Sequence, residues 1–241
     1  MSLIVLKFGG SSVADTEKIR NVCDIIAQKR VQGHQVVAVL SAQGDTTDDL
    51  VTKMGEITDH PSPRESDMLL TVGEQISISL AAMCMETMGI PAVSLTGWQA
   101  GIRTTSQHGN ADILTIDRRR IDLHLAQDQV VFVAGFQGID SEGNITTLGR
   151  GGSDTTAVAL AAWLQADACQ IYTDVDGVYT ADPRRHPDAR KLDRISYDDM
   201  LSLVDSGAQV LHRTSVLTAK KYGVAVEVLS SFSRVPGTIV G

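Results

Sequence analysis

The chain has 241 residues, 43% of them hydrophobic and 21% charged, with 21 Lys plus Arg set against 29 Asp plus Glu for a formal charge of −8. That balance fits a folded globular chain and excludes a disordered one. The acidic surplus also excludes a chain built to grip nucleic-acid phosphates, which are held by surplus positive charge, so an anionic ligand would need a local cluster of cations.

In chain order, Leu3–Phe8 is short, apolar and β-branched, ends at Gly9-Gly10, and reads as a buried strand. Residues 16–32 place Ile19, Val22, Cys23, Ile26 and Ala27 at helical spacing, behind an Asp15 N-cap and before a Gly33 stop. Residues 36–40 form a second strand. Residues 48–57 read as a helix, broken by His60-Pro61-Ser62-Pro63. Residues 66–88 carry one long apolar-periodic helix ending at Gly89, with Pro91 beyond. Ala92–Leu95 and Val130–Ala134 are strands, and the stretch between them up to Ile116 reads as loops or small strands. Residues 135–149 are glycine-rich with a hairpin-like Ser141-Glu142-Gly143-Asn144 turn. An alanine-rich helix over 155–164, a strand over 171–173, helices over 197–206 and 214–222 and a strand over 224–229 complete the pattern. Strands separated by helices force crossover connections, so the expected fold is α/β, with a mostly parallel sheet covered on both faces. Arg118-Arg119-Arg120 reads as a solvated surface turn.

No apolar run approaches the ~18–20 residues of a membrane span, and the N-terminus enters a strand-like run with no basic region, so neither a transmembrane helix nor a signal peptide is expected. Cys23, Cys84 and Cys169 are odd in number and unpaired by spacing, which points to a reducing, cytoplasmic compartment and away from zinc or disulfides. The six histidines show no ligand spacing and read as structural or surface residues. No resident metal site is expected.

The sequence contains no GxxxxGK[ST], and no GxGxxG follows the first strand. Instead, glycine pairs in Lys7-Phe8-Gly9-Gly10-Ser11-Ser12 and in Gly149-Arg150-Gly151-Gly152-Ser153-Asp154-Thr155-Thr156 each precede a helix and each sit beside a cation. Paired glycines let the backbone approach a ligand, and a helix start offers free N–H groups to an anion. Lys7 stands in an apolar strand, where an unpaired charge is expensive. Glu74 reads by default as part of a solvated helix face, while the preceding Gly73 hints at a close backbone approach. The segment from Thr173 to Arg184 follows a strand end, where parallel sheets bind ligands, although its Asp-Gly and Asp-Pro pairs are also turn formers.

These motifs, with Ser41-Ala42, Thr46-Thr47-Asp48-Asp49-Leu50, Thr96-Gly97-Trp98-Gln99-Ala100-Gly101 and Gly135-Phe136-Gln137-Gly138, together resemble the aspartate kinases of the amino-acid kinase family from Leu3 to the end of the chain. The resemblance implies a three-layer αβα sandwich around a roughly eight-stranded, mostly parallel sheet. It also implies transfer of the ATP γ-phosphate to the side-chain carboxylate of L-aspartate, the first step of lysine, threonine and methionine biosynthesis. The partners would be L-aspartate and MgATP, with the Mg²⁺ carried on the nucleotide, and a homodimer or a separate regulatory chain. By the same resemblance, Lys7 and Asp154 are catalytic. Ser41, Thr46, Thr47, Glu74, Arg150, Gly151, Gly152 and Ser153 contact the substrate. Lys7, Phe8, Gly9, Gly10, Thr173, Asp174, Tyr179, Thr180, Ala181, Asp182, Pro183 and Arg184 contact ATP.

Some positions depart from the family pattern. Gln43 stands for a usual Met, Asp112 for a usual Arg, and Gln209 for a lysine usually near ATP. Family members usually continue into two ACT modules; residues 1–241 contain none and are expected to be one catalytic domain, amino acid held by the N-terminal part and ATP by the C-terminal part. A sibling kinase of another carboxylate, carbamate or nucleoside monophosphate, and a catalytically impaired binding module, are the competing readings.

Overall fold

The computed structural model describes residues 2–182, 186 and 188–241. In chain order its elements are β1 (Leu3–Phe8), a 3-10 turn (Gly10–Ser12), α1 (Thr16–Val31), β2 (Gln35–Leu40), α2 (Thr46–Ile57), α3 (Pro63–Leu70), α4 (Val72–Thr87) and β3 (Ala92–Leu95). Then come β4 (Ile102–Thr104), β5 (Ile113–Ile116), α5 (Arg119–Ala126), β6 (Val130–Ala134), β7 (Gln137–Ile139), β8 (Ile145–Thr147), α6 (Gly152–Leu164) and β9 (Ala168–Thr173). The last are β10 (Arg194–Ile195), α7 (Tyr197–Asp205), α8 (Arg213–Tyr222), β11 (Val226–Ser230) and β12 (Thr238–Val240).

The main sheet runs β10-β12-β11-β9-β1-β2-β6-β3, and its pairs are parallel except for β11 with β12. Side chains alternate across it, as the period of two requires. Ile4, Leu6 and Phe8 point into a core shared with α1 and α4. Val5 points the other way, into a core shared with α5, α6, α7 and α8. The result is the expected αβα sandwich. Lys7 follows Val5's parity, so the strand aims it at the α6 layer.

The expected small strands before Ile116 and the expected hairpin are present as β4, β5, β7 and β8; that they join into a second, four-stranded sheet, β5-β4-β7-β8, was not expected. The predicted hairpin is its β7–β8 corner: Asp140 accepts from the N–H groups of Glu142 and Asn144, and Gly143 takes φ +87.

Several expected boundaries move. The predicted 66–88 helix is two helices that meet at Thr71, and Pro63, expected as a breaker, opens the first of them at a position where its missing N–H costs nothing. Together they satisfy the length and composition of a membrane-crossing helix, contrary to the sequence expectation. Yet α4 packs against α1, β2, β3 and β6 and carries the buried Glu74, as a core helix does. Helix α6 starts at Gly152 rather than 155, and β9 at Ala168 rather than 171. The Arg118 to Arg120 run opens α5 instead of forming a turn; Arg118 bonds both oxygens of Asp122, one helical turn ahead. The short strands β10 and β12 lacked a periodic signal.

Candidate active site

Parallel pairing puts the C-terminal ends of β1, β2, β6 and β9 on one edge of the sheet: Phe8 lies beside Leu40 and Tyr172, and Leu40 beside Ala134. The loops leaving these ends enclose a cleft of about 310 Å³, where ligands of parallel sheets bind.

Lys7 and Asp154 form its floor. Lys7 Nζ is 2.6 Å from Asp154 Oδ1, and both side chains are about nine-tenths buried. Among the described residues Oδ1 receives no aligned hydrogen bond, so charge rather than a directed bond holds the pair. Asp154 is the third residue of α6, where the positive end of the helix dipole favours a carboxylate. At the same helix start the Gly152 N–H is taken by the Gly149 carbonyl at 3.0 Å, while the N–H groups of Ser153 and Asp154, which line the cleft, have no backbone acceptor among the described residues. Gly151 caps it at φ +73, and a Cβ there would lie 2.1 Å from Cγ of His212. The ring of His212 therefore rests on bare backbone. A Cβ on Gly152 would come within 2.9 Å of the Phe136 ring.

Glu74 forms one wall. The expectation of a solvated helix face is wrong for it, because α4 is buried where it begins and Glu74 is only 4% exposed. Its Oε1 accepts from the Ala42 N–H at 3.1 Å, and its buried Oε2 has no partner among the described residues. Burial pushes its pKa up to about 7, against the lowering effect of the backbone hydrogen bonds. Gly73 makes this placement possible: a Cβ there would sit 2.7 Å from that of Ala42. Ser41 and Thr47 line the same wall. Gly10 lies against it, its carbonyl accepting from the Gly44 N–H at 3.1 Å. Arg150 lines the cleft from the opposite, glycine-rich loop, exposed and with no ion-pair partner among the described residues.

An acid with a free buried oxygen and an unpaired guanidinium complement a ligand that carries both an ammonium and a carboxylate. The Lys7 ammonium and the α6 N-terminus complement a further anionic group.

The other predicted residues that the structure describes are not in the lining of this cleft. Thr46 opens α2 beside Thr47 and Gly73. Phe8 is fully buried and stacks on Tyr172 at 4.7 Å, and the Gly9 N–H donates to the Tyr172 carbonyl. Thr173 ends β9, and its hydroxyl donates to Asp174. Tyr179 donates to Asp176, Thr180 N–H donates to the Arg190 carbonyl, and Ala181 and Asp182 follow, half-buried. Thr173 leaves β9 at the same sheet edge because β9 pairs with β1, and the Val178 N–H donates to Thr238 Oγ1 at 2.8 Å. Pro183 and Arg184 lie outside the described residues. Gln209 is exposed in the turn between α7 and α8.

The model of the amino acid kinase family matches residues 2–230. The chain belongs to the amino acid kinase family. It is 56% identical over 240 residues to an aspartokinase of Bacillus sp. (strain MGA3), covering 100% of this chain and 58% of that one. The chain thus spans a little over half the length of this curated relative. A crystal structure of aspartate kinase from Synechocystis superposes with a TM-score of 0.89 at 49% identity, over 99% of this chain and 40% of that one. The E. coli aspartokinase III structure in complex with aspartate and ADP gives 0.83 at 29% identity, over 99% and 64%.

Within this amino acid kinase cleft, sequence reading missed His212, which it placed among structural or surface histidines. No spacing announces it, since it reaches Gly151 only through the fold. Phe136 also escaped as an individual residue. Its φ of +69 is uncommon for a bulky side chain, and its N–H is held by Thr156 Oγ1 at 3.1 Å. Ala42 was legible only as part of a motif, though its N–H is what holds Glu74.

Proposed function

We propose that this chain transfers the γ-phosphoryl group of ATP to the side-chain carboxylate of L-aspartate, giving 4-phospho-L-aspartate and ADP. One observation carries the reading: Glu74, Arg150 and the Lys7–Asp154 pair share a single cleft beneath the N-terminus of α6. The relatives named aspartokinase, and the E. coli enzyme's complex with aspartate and ADP, support it.

In this reading the Arg150 guanidinium grips a carboxylate of aspartate and Glu74 takes its ammonium, with Ser41, Thr46, Thr47 and Ser153 completing the contacts. The attacking carboxylate has an ordinary pKa near ~3.9 and is ionised at neutral pH, so no general base is required. The obstacle is repulsion between two anions. An oxygen of the carboxylate attacks the γ-phosphorus and the bond to the β–γ bridging oxygen breaks. Lys7 and the α6 N–H groups, with Gly151 and Gly152 leaving the backbone bare, offset the negative charge that gathers between them. Asp154 holds the Lys7 ammonium in place. With the Gly9 N–H engaged by the Tyr172 carbonyl, the Gly10 N–H and the segment Thr173 to Asp182 take the nucleotide, so the N-terminal part serves the amino acid and the C-terminal part serves ATP. Mg²⁺ enters on the triphosphate, as hard cations do in kinase sites.

The test is incubation with ATP, Mg²⁺ and L-aspartate, with hydroxylamine trapping the acyl phosphate. Hydroxamate above the enzyme-free blank is expected, and none would overturn the proposal. Calorimetry under the same conditions separates an impaired module, which would bind ATP or aspartate without product.

A further inference from the structure

Asp67 lies on α3, outside the cleft, and is 1% exposed. Its carboxylate gathers donors from two separate segments. Oδ1 accepts from the Thr147 hydroxyl at 2.6 Å, both oxygens accept from the Gly109 N–H at 3.1 Å, and Oδ2 lies 2.7 Å from Nδ1 of His108. An ionised carboxylate only accepts, so Nδ1 carries the proton.

Each of these contacts leads to one wall of the cleft. Thr147 ends β8, three residues before Arg150. Gly109 precedes Asn110, whose Oδ1 would lie 2.8 Å from a Cβ on Gly149, and the Ala111 N–H donates to the Thr147 carbonyl at 2.8 Å. Both segments therefore abut the loop that carries Arg150. On the other side, α3 runs through Thr71 into α4, and Glu74 stands seven residues after Asp67. The Thr71 carbonyl is itself fixed by Gln137 Nε2 at 3.0 Å. One buried carboxylate thus fastens the helix pair that delivers Glu74 to the strand that delivers Arg150. Among the described residues, the segment after β9 takes no part in this fastening.

We infer that Asp67 is a positioning residue that sets the span between Glu74 and Arg150, and through it the affinity for the acceptor amino acid, without touching either substrate. The inference rests on the aspartate kinase reading above. A carboxylate that serves stability alone would leave the kinetic constants of the two substrates unchanged or shift them together. One that sets this span shifts only the acceptor's.

The experiment compares the full chain with Asp67→Asn and Thr147→Val in the hydroxylamine assay, each substrate varied at saturation of the other. The aspartate KM is expected to rise about tenfold in Asp67→Asn and about threefold in Thr147→Val, with the ATP KM within about twofold in both. Equal rises in both KM values, or an unchanged aspartate KM, would overturn the inference. Thr147→Val keeps the side-chain volume and decides the matter if Asp67→Asn does not fold. If the unaltered chain yields no hydroxamate, the functional reading fails by itself, and hydrogen exchange then tests the fastening. Faster exchange over residues 148–154 but not 173–182 in Thr147→Val supports it, and unchanged or uniformly faster exchange refutes it.

Discussion

Among the described residues, the Glu74 side chain receives one hydrogen bond from another residue, from the Ala42 N–H to Oε1, while its second carboxylate oxygen is buried and without a partner. The group is thus easier to protonate folded than unfolded, with a pKa of about 7 against an ordinary 4.5. Between these values the folded state binds more protons, so stability is full below about pH 4.5 and falls as pH rises toward 7. The loss is on the order of 3 kcal/mol. Denaturant unfolding of the unaltered chain and of Glu74→Gln at about pH 5 and about pH 7.5 should show the variant gaining relative stability at the higher pH. A difference that stays constant between the two would contradict it. The ammonium of a bound amino acid should restore the ionised form, so aspartate binding near neutral pH should release a proton. Calorimetry in two buffers of different ionisation enthalpy reads that release.

Gly151→Ala meets two obstacles at once. The position has φ +73, and its Cβ would fall 2.1 Å from the His212 ring. A loss of about 1–3 kcal/mol in stability is expected, together with a displaced α6 start and strongly reduced turnover. Gly151→Ala combined with His212→Gly removes the clash, since the Cβ of His212 would itself lie 2.2 Å away and must go with the ring. The pair should recover part of the stability in thermal unfolding, and no recovery would mean that backbone conformation alone is responsible.

Lys7→Ala should abolish turnover and also strand the Asp154 carboxylate, which is nine-tenths buried. Removing one member of a buried pair costs about 3–5 kcal/mol. Lys7→Met with Asp154→Asn should regain stability while remaining inactive. Activity in that double variant would remove Lys7 from the chemistry.

Arg150→Ala should behave in the opposite way. The side chain is exposed and makes no ion pair among the described residues, so unfolding should move by less than about 0.5 kcal/mol. The aspartate KM should rise by about two orders of magnitude, the scale of losing a charged, bidentate contact. A KM near that of the unaltered chain would assign the carboxylate to another cation.

The layers of this fold were legible because alternation and helical spacing report directly on which face is buried. Helix α1, with its Asp15 cap accepting from the Lys18 N–H, matches its sequence signature almost to the residue. Strand β12 did not announce itself, since its three residues gain their partner, Val228 to Val226 of β11, only after the chain returns. Lys7 and the two glycine pairs were visible because each breaks a local rule: a charge in an apolar strand, or bare backbone where a side chain would pack. Glu74 breaks no such rule. A glutamate in the first turn of a helix is ordinary, and only the approach of Ala42 from a distant loop makes it unusual. Asp67 and His212 were hidden for the same reason, since their partners lie tens of residues away.

Lys7 faces α6 because it lies an even number of residues from Val5, and Phe8 faces α1 because it lies an odd number away. The ammonium at the floor of the cleft is therefore fixed by parity as much as by chemistry. With the β1 pairing to β2 and β9 held in place, inserting or deleting a single residue within the strand would turn the lysine into the α1–α4 layer and present Phe8 or Leu6 to Asp154, leaving composition and hydrophobicity almost unchanged. Substitutions along β1 are a question of volume and polarity; changes of its length are a question of odd and even, and only the even ones leave a charge where the phosphoryl group would pass.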